Sequence, residues 1–313
     1  DTKGSRSVAI GWGALRNQNF TTATDTYNTA VGMKAGTAVT TGTQNTLIGG
    51  LAGDAITTGS NNASVGYGAL GATTTGINNT AMGSGSLFNN TTASNNTAVG
   101  TNALLANTTG AGNVAVGTLA LDANTTADNT TAVGYSALTA NTTGINNTGM
   151  GAFVLGQNTT GQNNVAVGYA SLNANTTGSY NVSVGYNALD ANTTASNNTG
   201  VGYLALTANT TGAGNSALGK SSMGANTTGS NNTAVGHGAL DANTTADNNV
   251  AVGLNALGAN TTGTQNVAVG IQTLMTNTTG HTNTALGTNA LLANTTANNN
   301  TAVGSQALVA NTT

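Results

Sequence analysis

The chain has 313 residues, with 45 Gly, no Pro, no Cys, five basic and eight acidic side chains, and a net charge of −3. Charged residues are 4% of the chain, against roughly 25% in globular domains. The composition excludes disulfides, thiolate zinc sites and thiol catalysis, offers no basic surface to a phosphate backbone, and contains no apolar run near the roughly 20 residues that span a bilayer.

Disorder is excluded by an exact repeat. Glycines recur every 17 residues from Gly32 to Gly304, whereas Gly11 precedes Gly32 by 21, so four extra residues lie between Trp12 and Val31. Such periods mark solenoids and other stacked arrays. Residues 1–89 form the divergent rungs. They carry the insertion and four of the five basic residues, Lys3, Arg6, Arg16 and Lys34. This end is expected to act as a cap or joint. Residues 90–313 are expected to be regular rungs of the same continuous solenoid, each with an Asn-Thr-Thr tripeptide, from Asn90 to Asn311.

Within a unit, the residue before the glycine is aliphatic or Met, and the one before that is small, usually Ala. The residue four before is Asn in all regular units except at Thr130, and the residue four after is Leu except at Gly36, Gly53 and Met223. Thr-Ala-Val-Gly has the alternation of a strand. Ala-Asn-Thr-Thr-Gly supplies turn chemistry, since Asn and Gly tolerate left-handed backbone. No segment has helical spacing. The reading is all-β: a parallel β-solenoid, or β-roll, of about 18 rungs with 17 residues each. At about 4.8 Å per rung it would be roughly 85 Å long. The absence of Pro fits, because each rung must donate its N–H groups to a neighbour.

Each rung is expected to bury one Val and one Leu, about 2 kcal/mol each. Ordering its backbone costs roughly 17–34 kcal/mol, so hydrogen-bond ladders and neighbouring rungs must stabilise it. Asp1-Thr2-Lys3 and Asn311-Thr312-Thr313 occupy the same slot of the repeat. The last rung is therefore an uncapped edge, expected either to continue in a longer chain or to stack head to tail on another copy.

Asn-Val-Ala-Val-Gly at 164–168 and 266–270, and Ser7-Val8-Ala9-Ile10-Gly11, resemble the head repeats of trimeric autotransporter adhesins. They are also similar to arrays in phage tail fibres and bacterial surface fibres. The resemblance implies a left-handed β-roll, assembly as a trimer, and a place in an extracellular adhesive fibre.

Candidate chemistry is sparse. His237 and His281 stand in variable columns, 44 residues apart, so neither a catalytic pair nor a metal cluster is visible. No enzymatic activity is expected, and no cofactor except a weak calcium candidate: Asp122 with Asp128, and Asp241 with Asp247, flank the same five residues. These carboxylates equally suit solvated columns. Tyr169, Tyr186 and Tyr203 share one column in successive rungs and form either a packing ladder or a glycan contact. The Asn-Thr-Thr tripeptides match the N-glycosylation pattern. This makes Asn107, Asn124, Asn141, Asn158, Asn175, Asn192, Asn209, Asn226, Asn243, Asn260, Asn277 and Asn294 candidate acceptors at exposed corners, with Thr modification also considered. The alternative is that these Asn stack as an amide ladder.

The functional expectation is a non-enzymatic fibre subunit at an extracellular, cell or virion surface. Its expected partners are copies of itself and surface glycans. One alternative is a phage tail-fibre shaft binding host glycans. Another is an ice-binding solenoid, which requires two outward Thr ranks. Adjacent Thr108 and Thr109, pointing to opposite faces of an extended segment, would leave only one.

Overall fold

The computed structural model describes residues 3–312. Asp1, Thr2 and Thr313, which fill the terminal slots of the repeat, lie outside the described residues. The chain forms two compact units, Asp1–Thr160 and Gly161–Thr313. Each is a stack of parallel β-rungs, about 18 in all, and no helix occurs among the described residues.

In the first unit, β1 (Gly4–Ser5) pairs with β3 (Thr24–Asp25), forming a separate two-stranded ribbon. The main sheet begins with β2 (Val8–Ile10), which pairs with β4 (Thr29–Val31), and β4 pairs in turn with β5 (Thr46–Ile48). Three-residue strands then follow in register, to Thr148–Met150. The second unit repeats the pattern from Val165–Val167 to Thr301–Val303. The insertion can be placed from the hydrogen bonds. Asn19 N–H still donates across the enlarged spacing to Thr40, whereas Gln44 N–H donates to Thr26 at the regular one. The extra residues therefore lie between Asn19 and Thr26, beside the short ribbon.

The strands are three residues long because the repeat glycine ends them. Gly134 has φ of 139°, and a Cβ there would lie 2.3 Å from the carbonyl oxygen of Gly151 in the next rung. No other residue fits this column, because the obstruction is backbone.

The core is narrower than the sequence suggested. The expectation that each rung buries its Val is corrected. The middle residue of each strand points inward, so Ala132 is fully buried while Val133 on its flank is only half-buried. Strand alternation admits one inward side chain, and the space leaves room for Ala. Leu, four after the glycine, reaches in from the other side, as at Leu138.

That Leu adopts left-handed backbone in rung after rung, with φ of 53° at Leu138 and 48° at Leu155. For a residue with a Cβ this costs about 1–2 kcal/mol, against about 1.5–3 kcal/mol from burying the side chain. Leucine packing and leucine strain thus nearly cancel, so other interactions must hold the rungs together.

Two of the three departures from Leu, Gly36 and Gly53, share one cause. Leu47 occupies a strand centre that is Ala in most rungs, and its methyls fill the space from the opposite side. A Cβ on Gly36 would lie 2.6 Å from Leu47 Cδ1, and one on Gly53 2.8 Å from Leu47 Cδ2. Leu47, Leu15, Val39 and Ile56 form an apolar cluster confined to these early rungs.

Candidate functional site

The regular rungs hold two columns of buried asparagine. In the first, four before the glycine, Asn45 donates its N–H and its Nδ2–H to Asn28 Oδ1, at 2.9 and 3.2 Å, and a second Nδ2–H to the Gly59 carbonyl at 2.9 Å. The backbone link runs on to Asn113 and, in the second unit, from Asn164 to Asn300, and the Nδ2 link to the neighbouring oxygen recurs at Asn62, Asn79, Asn181, Asn232 and Asn300. Thr130 interrupts the column. Its backbone N–H still donates to Asn113 Oδ1 at 2.9 Å, but it has no carboxamide to continue the column.

The second column is the Asn of Asn-Thr-Thr. Asn107 Nδ2 donates to Asn90 Oδ1 at 3.0 Å and to the Gly110 carbonyl at 2.9 Å. Asn96, from the first column, donates to that same carbonyl at 2.9 Å. One shared carbonyl thus ties the two ladders together, and the arrangement recurs at Ala127, Gly178, Ala195 and Gly212. In the second column, interior amides such as Asn107, Asn124 and Asn209 use both N–H groups and the oxygen, as a buried carboxamide must.

This geometry corrects the expectation of exposed Asn acceptors. Asn107, Asn124, Asn141, Asn158, Asn175, Asn192, Asn209, Asn226, Asn243, Asn260, Asn277 and Asn294 are all fully buried. Their folded carboxamides are committed to the ladder, and none is open to a modifying enzyme.

The two threonines after each Asn differ from one another. The first is half-buried in most rungs, and its hydroxyl donates to a carbonyl of the next rung, as Thr108 does to Thr125 at 3.0 Å. The second, such as Thr109, is exposed. Both lie at a bend, and of the two only the second leaves its hydroxyl without a hydrogen bond among the described residues.

Most of the exposed large apolar side chains stand on the outward flanks of the strands and just after the repeat glycine. They include Ile48, Met82, Val116 and Met150 in the first unit, and Val182, Leu218, Leu254, Ile271 and Leu286 in the second. The three tyrosines lie in this face. Tyr169 stacks on Tyr186 at 5.4 Å and 11°, and Tyr186 on Tyr203 at 5.5 Å and 16°. Lys220 Nζ lies 5.9 Å from the Tyr203 ring centre. The rings spend their faces on one another and on Lys220, an arrangement that favours packing over sugar stacking.

The paired aspartates engage different rungs. Asp122 Oδ1 accepts from the Thr139 hydroxyl at 2.6 Å, whereas Asp128 Oδ1 accepts from Ala111 N–H at 2.7 Å, on the opposite side of its own rung. Asp247 Oδ1 likewise accepts from Ser230 N–H at 2.6 Å, while Asp241 borders a shallow cleft of about 290 Å³ with Asn255 and Met275. No group of three or more His, Asp or other ligating side chains that could hold a metal occurs among the described residues. Partial burial pushes the carboxyls of Asp54 and Asp190 above their ordinary range, with a backbone hydrogen bond and Lys34 opposing it at Asp54.

The basic residues of the divergent end are used locally. Arg6 pairs with Asp25 at 3.3 Å and lies over the Tyr27 ring, and Lys34 lies over Trp12. A second cleft, of about 270 Å³, is bordered by Tyr67, Phe88 and Leu105 where Gly68 and Gly85 leave the corner open. Among the described residues no helix is long and apolar enough to cross a membrane. No protein-family model matches the chain, and no curated protein matches it in sequence.

Proposed function

We propose that the chain is a non-enzymatic subunit of an extracellular fibre, a repetitive scaffold that assembles side by side with copies of itself. The observation that carries this reading is the row of exposed apolar side chains on the outward strand face. In the first unit Ile48, Met82 and Met150 are 39%, 46% and 46% exposed. A charge-poor apolar β-face of this kind, which the second unit also carries at Val182, Leu218 and Leu286, is the type of surface that proteins cover with a partner. An identical face on a second copy repeats at the same rung spacing and carries little charge to oppose contact. Length and regularity are then the useful properties, and specificity resides in the variable columns.

Light scattering coupled to size exclusion tests the reading. The expected result is a discrete oligomer that dissociates when Met82→Lys and Val116→Lys place charges on the face, with the β-sheet circular dichroism unchanged. A monomer at tens of micromolar, or an oligomer indifferent to those charges, overturns it.

A further inference from the structure

We propose that the second threonine of each Thr-Thr corner is an acceptor site for O-linked glycosylation, a reading independent of how the chain assembles. The residue is Thr in every rung from Thr41 and Thr58 to Thr279 and Thr296, eight in each unit, and all are exposed. The exposed column just after the repeat glycine, by contrast, varies freely. It holds Trp12, Met33, Tyr67, Thr101, Lys220, His237 and Leu254 in different rungs.

The fold does not explain the constancy. The first Thr of each pair is needed because its hydroxyl bonds the next rung, as Thr74, Thr91 and Thr210 do. The serines two residues beyond the second Thr are engaged too. Ser60, Ser94, Ser179 and Ser230 accept backbone N–H bonds from Thr43, Ile77, Gln162 and Ala213. Among the described residues, the hydroxyls of these second threonines make no hydrogen bond within the chain. Backbone preference alone would admit Val or Ile there, and solubility alone would admit Ser or Asn, yet none of these occurs. What the column preserves is an exposed hydroxyl on a branched carbon, whose rotamers are restricted. The following residue is Gly or Ala, so no longer side chain in the sequence shields the hydroxyl from that side.

Transfer to this oxygen balances simply. Oγ1 bonds the anomeric carbon of a nucleotide-activated sugar, the bond from that carbon to the phosphate oxygen breaks, the hydroxyl proton passes to the transferase, and the nucleoside diphosphate leaves. A sugar coat on one corner supplies the hydration that a chain with 4% charged residues otherwise lacks.

The test is intact mass spectrometry of the protein purified from its native cells, with electron-transfer fragmentation to locate any addition. The expected result is a series of whole-monosaccharide increments on Thr109, Thr126, Thr143 and their equivalents. These should be lost on alkaline β-elimination and absent from the preceding Thr and Asn. A triple variant, Thr109→Val, Thr126→Val and Thr143→Val, expressed in the same cells, should keep its circular dichroism and lose the increments at those positions. An unmodified mass, sugars on Asn107 or Thr108, or an addition that is not a sugar overturns the proposal.

Discussion

Between Gly32 and Thr73 the inner corner of the rung holds Val39 and Ile56, whereas from Asn90 onward the same column is asparagine. The apolar version packs with Leu15 and Leu47 and depends on fitted shapes. Because Leu47 fills the strand centre, the facing position had to lose its side chain at both Gly36 and Gly53. The amide version needs no such exchange. Each Asn presents its neighbour with the same oxygen and takes the same carbonyl, so one solution can be copied without adjusting its surroundings. Its weakness is that a missing member leaves groups unpaired on both sides, and buried unpaired groups are costly. The junction between the two chemistries is Thr73, whose hydroxyl accepts from Asn90 Nδ2 at 3.3 Å.

The contrast can be broken most severely at a position common to both regions. Gly134→Val forces side-chain atoms onto the Gly151 carbonyl and is expected to abolish cooperative folding, read as loss of the β-sheet circular dichroism. Next in size is Asn124→Leu. It strands Asn107 Oδ1 and removes the acceptor of Asn141 Nδ2, at about 1–3 kcal/mol for each group left unpaired. Chemical denaturation should show the loss.

Ile56→Asn sharpens the comparison from the other side. It introduces an amide between Val39 and Thr73, where no amide ladder exists, and gives up apolar packing worth about 2–4 kcal/mol. If it is neutral, the two columns are interchangeable and the distinction drawn here is wrong. Thr130→Asn should mend the interrupted ladder and raise stability by about 1 kcal/mol, seen as a higher melting temperature.

The smallest effect is in pH. Asp54 and Asp190 have carboxyls raised by burial, so the folded state holds their protons more tightly than the unfolded chain. Their contribution is greatest at acid pH and is lost as pH rises through the raised values. The melting temperature should therefore rise slightly between neutral pH and pH 4, and Asp190→Asn should diminish that rise.

The rung, its period and its parallel stacking were legible in the sequence, because the repeat glycine cannot be replaced and the strand alternates. The placement of Val outside the core was not, since alternation alone leaves open which of two adjacent small apolar residues turns inward. The sequence left the Asn-Thr-Thr asparagine open between an exposed acceptor and a stacked amide, and the structure buries it. A polar residue beside two threonines reads as a surface corner, yet the clue was present. The column from Asn90 onward never admits Ser, Asp or Gln, and the residue three positions on is confined to Gly or Ala, as a shared buried carbonyl requires. The left-handed leucines carried no sequence signal at all, because the fold imposes that backbone on a residue that does not favour it.

The most direct test of the account is hydrogen exchange at the asparagine carboxamides, followed by NMR on the folded protein. The account predicts that the Nδ2 protons of interior ladder members such as Asn107, Asn124 and Asn209 exchange as slowly as the backbone amides of the strands, while those of exposed Asn95 and Asn197 exchange freely. Exchange at solvent rates throughout would contradict it, and would return those asparagines to the surface.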